Sequence, residues 1–202
     1  MMISVLLGGV IGLASPLLVP TYAQTAEEAS VAVATFAGGC FWCMEPPFDK
    51  LEGVLSTTSG YMGGRVRNPS YKDVITGTTG HYEVVQIEYD PAQVSYAELL
   101  EVFWRNIDPL DDQGQFCDQG QQYLSAIFTH NQEQEALAQE SKQDLETSGR
   151  FAEPIATEIL EAETFYKAES YHQDYYQKNP RRYQLYRYAC GRDQRLTELW
   201  ED

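Results

Sequence analysis

The sequence predicts an α+β domain of two layers, with mixed strands carrying helices on one face. Three observations predict it. β-prone runs and amphipathic runs alternate from residue 31 to about residue 160. The clearest strand, His81 to Tyr89, sets Glu83, Val85, Ile87 and Tyr89 against Val84, Gln86 and Glu88. No repeat, low-complexity tract or Gly/Ser linker divides the chain, so residues 24–202, about 179 residues, fit one domain with a sizeable core.

Residues 1–23 are set aside from that domain. They hold no Lys, Arg, Asp or Glu and run from Met1 through Leu6-Leu7 and Ser15-Pro16 to Thr21-Tyr22-Ala23. An apolar stretch followed by small residues near a cut after Ala23 reads as a secretory signal peptide, although its only positive charge is the terminal amine. An uncleaved anchor is disfavoured, because Gly and Pro interrupt the run and it is barely long enough to span. The expectation is therefore a periplasmic or secreted protein with no stable membrane association after processing. The net charge of -16 falls wholly on the remainder. Phosphate backbones need clustered cations, so nucleic acid is excluded as the main partner.

Val31 to Phe36 is a short strand ending at Gly38-Gly39. From Phe41 the pattern turns helical, with Phe41, Met44, Phe48 and Leu51 on one side. Pro46-Pro47 fit only the first turn of such a helix, or else break it. Val54 to Tyr61 is a strand stopped by Gly63-Gly64, and Asn68-Pro69-Ser70-Tyr71 is a turn and helix cap. Ser95-Tyr96-Ala97-Glu98 is a capping box for a helix carrying Leu99, Leu100, Phe103 and Trp104. Asp108 to Gln122 reads as a polar loop without periodicity, of a length that is usually functional or mobile. Tyr123 to Thr129 is a strand, Asn131 to Thr147 a polar helix closed by Gly149, and Ile155 to Leu160 the last clear strand. From Glu169 the chain reads as an irregular tail whose many tyrosines lie flat on the domain. That tail holds six of the fourteen Lys and Arg residues, and a basic patch for an acidic redox partner is the less favoured reading.

Chemistry concentrates in Gly38-Gly39-Cys40-Phe41-Trp42-Cys43. A cysteine on a Gly-rich turn at a helix mouth has the geometry that stabilises a thiolate. Cys40 and Cys43 are too close to staple a fold, while Cys117 and Cys190 stand alone. Zinc would need a second close pair or spaced histidines, and His81, His130 and His172 form no such set. Redox chemistry is the leading use of the pair. Phe41 and Trp42 suit a small apolar or sulfur-bearing group, although ordinary core filling is the plainer role for aromatics. Glu83 shares a face with Val85 and Ile87. It either points inward as a proton donor with a raised pKa, or sits exposed and paired with Arg65 or Arg67. Pattern alone leaves both open, and His81 reads as structural.

These residues are similar to those of a known family. The chain resembles peptide methionine sulfoxide reductase A in Gly39-Cys40-Phe41-Trp42, Gly60-Tyr61-Met62-Gly63-Gly64, Asn68-Pro69-Ser70-Tyr71 and Gly80-His81-Tyr82-Glu83. Tyr89-Asp90-Pro91, Phe103-Trp104, Asp118 to Ser125, Ala168-Glu169, His172-Gln173 and Tyr176 follow in the family's order. The resemblance implies a ferredoxin-like core within the two-layer sandwich and a long irregular C-terminal extension. It implies that Cys40 attacks the sulfoxide sulfur, that Glu83 protonates the oxygen, and that Tyr71 and Tyr123 donate hydrogen bonds to it. Phe41 and Trp42 would hold the substrate methyl, and Asp118 would orient substrate or site. The resulting sulfenic acid needs a second thiol, for which Cys190 and Cys43 are the candidates. Many relatives have Gly at the Cys43 position and Asn at the Cys117 position, and use a Gly-rich tail that this chain lacks. The resemblance further implies a thioredoxin-like dithiol as reductant, no metal or organic cofactor, free and protein-bound methionine S-sulfoxide as substrates, and a monomer. A thioredoxin-like dithiol oxidoreductase and a non-enzymatic thioether-binding module are the rival readings of the same cysteines.

Overall fold

The computed structural model describes residues 31–201; the expected signal peptide lies outside the described residues. In chain order the elements are β1 (Ala32–Gly38), α1 (Phe41–Asp49), β2 (Val54–Met62), α2 (Tyr71–Val74), β3 (Tyr82–Tyr89) and α3 (Tyr96–Trp104). A small ribbon of β4 (Gly114–Gln115) and β5 (Asp118–Gln119) precedes β6 (Ser125–Thr129), α4 (Gln132–Thr147), β7 (Glu158–Glu161) and β8 (Tyr166–Lys167). The chain closes with α5 (Tyr175–Lys178), α6 (Pro180–Ala189) and α7 (Arg192–Trp200).

Six strands form one mixed sheet in the order β7-β6-β1-β3-β2-β8, antiparallel throughout except for the parallel β6/β7 pair. Period-two alternation decides what each face holds. Ala34, Phe36, Tyr61, Val85, Ile87 and Ile127 point to the side covered by Met44 and Phe48 of α1, Leu99, Leu100 and Phe103 of α3, and Ala138 of α4. Ala37, Met62, Tyr82, Val84, Ala126 and Phe128 point the other way, beneath only Leu124, Leu160, Ala162 and Phe165. Helices thus cover one face, as the pattern predicts. The register sets Tyr61 opposite Glu83 and Gly38 opposite Ser125. Those pairings bring the end of β1, the start of β3 and the residues before β6 to one end of the sheet.

Local choices follow the sequence closely in the middle of the chain. Both expected caps form: Ser70 and Ser95 accept from the amides of Asp73 and Glu98, whose carboxylates bond back. Three expectations need correction. Pro46 and Pro47 lie well inside α1, beyond its first turn. Two interior prolines cost roughly 3 kcal/mol or more each. Burial of Phe41, Met44 and Phe48, at about 1.5–3 kcal/mol each, offsets much of that, and the helix ends two residues later. The strand expected from Ile155 begins at Glu158, because the Ala156 amide bonds to the Pro109 carbonyl instead of joining the sheet, and the short β8 follows it.

The third correction is the largest. Residues 108–122 are ordered by β4/β5 and by buried Gln115, which bonds the Asp108 amide at 2.9 Å and the Asp108 carbonyl at 2.7 Å. The tail is helical rather than irregular. It returns to the core at Leu199 and Trp200, whose indole donates to the Ile107 carbonyl at 3.2 Å. Four of its six cations are tied down, while Arg181 and Arg182 are exposed. Arg187 pairs with Asp193, Arg195 with Asp108 and Lys178 with Asp174, while Arg192 is buried. Some tyrosines of the tail pack, as Tyr175 does, but Tyr188 is 84% exposed.

Candidate active site

Cys40 lies between β1 and α1 and is the N-cap of that helix. The turn requires Gly39, whose φ is +78° and whose added Cβ would stand 2.5 Å from the Gln115 Cβ. The first helical amide, on Phe41, donates to Glu83 Oε2 at 3.2 Å. Glu83 is 1% exposed, and no ion pair joins it to Arg65 or Arg67 among the described residues. The inward reading is the observed one. Burial raises its pKa to about 8, against the lowering effect of the Phe41 amide, and the Asp118 charge adds to the rise. Glu83 therefore holds a proton at neutral pH.

Tyr71 and Tyr123 come to the same place from α2 and from the turn before β6. Their hydroxyls share a hydrogen bond, and both feel the charges of Glu83 and Cys40. Burial pushes Tyr71 up to about 12 and Tyr123 further, so both remain donors. Asp118 on β5 accepts a short hydrogen bond from the Tyr186 hydroxyl of α6. Burial raises its pKa, while Tyr186 and Arg192 oppose the rise. Tyr186 also hydrogen-bonds Cys40. Phe41 is fully buried against Tyr61 and His172, which is core packing. Half-buried Trp42 stacks on Tyr175 with ring centroids 3.7 Å apart, and its indole donates to His172 Nδ1 at 3.0 Å.

The two cysteines of the turn are free thiols, both buried, and their sulfurs hydrogen-bond each other. Burial is the main influence on Cys40 and raises its pKa; the hydrogen bond and charge of Cys43 add to the rise, then the charges of Glu83 and Asp118. Cys43 receives the hydrogen bond of Cys40 and faces Arg192 and Arg187, which together lower it against the cost of burial. The expectation that the helix mouth would favour a thiolate at Cys40 is therefore met only in geometry. Burial weighs against charge on Cys40, whereas Arg192 and Arg187 favour it on Cys43. Cys117 and Cys190 are joined as a disulfide with Cα atoms 4.8 Å apart. That bridge ties the ribbon bearing Asp118 to the end of the helix bearing Tyr186.

Several residues of this region went unassigned in the sequence. Glu169 accepts from the Tyr61 hydroxyl and from the Tyr71 amide, each at 2.9 Å, and so fixes Tyr71. His172 packs its ring on Phe41, Tyr71 and Tyr171, and burial lowers its pKa to about 4. It is a neutral acceptor for Trp42. Tyr186 and Arg192 come from the tail that reads as irregular. The aromatic crowding after Glu169 was the signal available for them. His81 is buried against Gly64 and the edge of Tyr166, in keeping with a structural role.

A buried thiol pair beside a protonated carboxyl and two tyrosine hydroxyls defines a cysteine-based redox site. The chain belongs to the peptide methionine sulfoxide reductase family, whose pattern it matches over residues 32–202. It is 55% identical over 168 residues to the peptide methionine sulfoxide reductase MsrA of Bacillus licheniformis, covering 83% of this chain and 93% of that one. Among solved structures, Mxr1 of Saccharomyces cerevisiae in reduced form superposes with a TM-score of 0.69 at 34% identity, over 76% of this chain and 88% of that chain. The methionine sulfoxide reductase A of Corynebacterium diphtheriae gives a TM-score of 0.67 at 34% identity, over 77% of each.

Proposed function

We propose that this chain reduces methionine S-sulfoxide, free or in proteins, to methionine through Cys40. The observation that carries the reading is Glu83, a fully buried carboxyl with a pKa near 8 that accepts from the amide next to Cys40. Cys40 gives its proton to solvent, and its thiolate, at the N-terminal end of α1, attacks the sulfoxide sulfur. As charge grows on the sulfoxide oxygen, Glu83 gives it a proton and the Tyr71 and Tyr123 hydroxyls donate to it, preset where the charge develops. The oxygen leaves with the Cys40 sulfur as a sulfenic acid, and methionine is released. Trp42 holds the substrate methyl with Phe41 packed behind it, and Asp118 orients the site through Tyr186.

Resolution falls to Cys43 in this reading. It is the free thiol beside Cys40, whereas Cys190 is bonded to Cys117. An external thioredoxin-like dithiol then reduces the Cys40–Cys43 disulfide, with no metal or organic cofactor taking part, and the chain works as a monomer. The order β6-β1-β3-β2 within a βαββαβ succession supports reading the core as ferredoxin-like. Residues 1–23 support export as a signal peptide cut near Ala23, leaving 24–202 as one reductase domain. The Cys117–Cys190 bridge supports an oxidising compartment.

The test is methionine formed per chain from separated S- and R-sulfoxides without an external reductant. About one equivalent from the S epimer alone, and none in Cys40→Ser, is the expected result. Insulin disulfides reduced with sulfoxide untouched would move the chain to the dithiol oxidoreductases.

A further inference from the structure

One buried charge is left unused by this chemistry. Arg192, the first residue of α7, is 2% exposed, yet it makes no ion pair among the described residues. Its Nη2 donates to the Gly38 carbonyl at 3.1 Å, the Asn106 carbonyl at 2.6 Å and the Met44 Sδ at 3.1 Å, all neutral acceptors. Its Nε has no partner, and its guanidinium lies 4.3 Å from the Phe116 ring centre. An isolated cation is seldom left inside a protein without an anion to answer it. Gly38 and Met44 bracket the cysteine turn, so the charge is held against its buried side. Cys43, in the first turn of α1, adds the favourable end of a nine-residue helix.

We propose that Arg192 is a positioning residue for the second half of the reaction, keeping Cys43 ionised for attack on the Cys40 sulfenic acid. This rests on the reductase reading of Cys40. In that step the Cys43 thiolate forms an S–S bond to Cys40 as the Cys40 S–O bond breaks. The oxygen leaves as hydroxide and takes a proton to become water. Cys43 supplies the electron pair of the new S–S bond while the S–O pair leaves with the oxygen, so the two-electron oxidation becomes shared by both sulfurs and no further oxidant or reductant enters. The groups that face Cys43 are Cys40 from the turn, Glu83 from β3, Asp118 from β5, Tyr183 and Arg187 from α6, and Arg192 from α7. Of the two cations, Arg187 is already paired with Asp193. Arg192 is the one without a carboxylate partner.

The experiment is a single turnover of the full chain with methionine S-sulfoxide between pH 6 and 9. It follows methionine release and, separately, the dimedone-trappable sulfenic acid. Arg192→Met should leave methionine release within about threefold while slowing loss of the sulfenic acid at least tenfold at pH 7, with recovery toward pH 9. Arg192→Lys should stay within about threefold of wild type in both. A uniform slowing of both steps without pH recovery, or unchanged resolution in Arg192→Met, overturns the proposal. The thiolate absorbance near 240 nm gives an independent reading in a Cys40→Ser background. There the Cys43 midpoint should rise by at least one pH unit with Arg192→Met, and by less with Arg187→Gln should the methionine variant not fold. No rise in either overturns the proposal. A wild-type chain that makes no methionine sinks the reductase reading instead, and leaves the absorbance titration to judge Arg192 alone.

Discussion

The two cysteine pairs of this molecule are built for opposite ends. Cys40 and Cys43 are three residues apart, buried, unbonded to each other, and surrounded by Glu83, Asp118, Tyr186 and two arginines. Cys117 and Cys190 are 73 residues apart, at the surface, and covalently joined. The first pair is electrically poised: burial and carboxylates weigh on one sulfur, while cations favour charge on the other. The second closes a long loop, a constraint worth about 4 kcal/mol in the chain-entropy view. Reactivity in a thiol comes from the charges around it, and stabilisation from the length of chain it closes.

The sharpest way to break that division is Cys40→Ser. Methionine formation should fall below detection, more than about a thousandfold, with the thermal midpoint nearly unchanged, while the same change at Cys43 spares the first turnover. Glu83→Gln comes next. Loss of the proton donor should slow methionine release by about a hundredfold or more in single-turnover assays, with substrate affinity largely kept. The wild-type step should also fall as pH rises through about 8, since only protonated Glu83 can donate. The same shift has a stability consequence. A carboxyl raised from 4.5 to about 8 on folding favours the native state fully below pH 4.5, and that contribution is lost as pH rises toward 8. Glu83→Gln should therefore lack this decline and denature at higher urea at pH 7, by roughly 1–3 kcal/mol.

Smaller effects separate the remaining roles. Tyr71→Phe should slow methionine release about tenfold, and the double change with Tyr123→Phe further, because each removes a donor held above its ordinary pKa by burial. Replacing both Cys117 and Cys190 by Ser should lower stability by about 2–4 kcal/mol in urea while keeping first-turnover methionine within about threefold. If that double variant instead accumulates a long-lived Cys40 sulfenic acid, Cys190 belongs to the reactive set and the two pairs are not separate devices.

Much of the scaffold was legible because its signals are local. The capping serines at 70 and 95, the alternation of β3 and the glycine turn before Cys40 each depend on residues within a few positions. The tail was not legible for a matching reason. Helix α6 buries no residue, so it carries no periodic stripe to find, and α5 is a single turn. Tyr175, Tyr186 and Arg192 reach the site only through contacts with Trp42, Asp118 and Gly38, each more than 65 residues distant in sequence.

By itself the sequence determined the α+β class, the Gly-rich turn that sets Cys40 at a helix mouth, and Glu83 as one of two readings of a strand. Tertiary structure decided that Glu83 points inward and keeps its proton, that Cys117 pairs with Cys190, and that a buried arginine stands behind Cys43. Backbone preferences are set by neighbours along the chain, whereas the charge on a buried sulfur or carboxyl is set by whatever folding brings within a few ångströms of it.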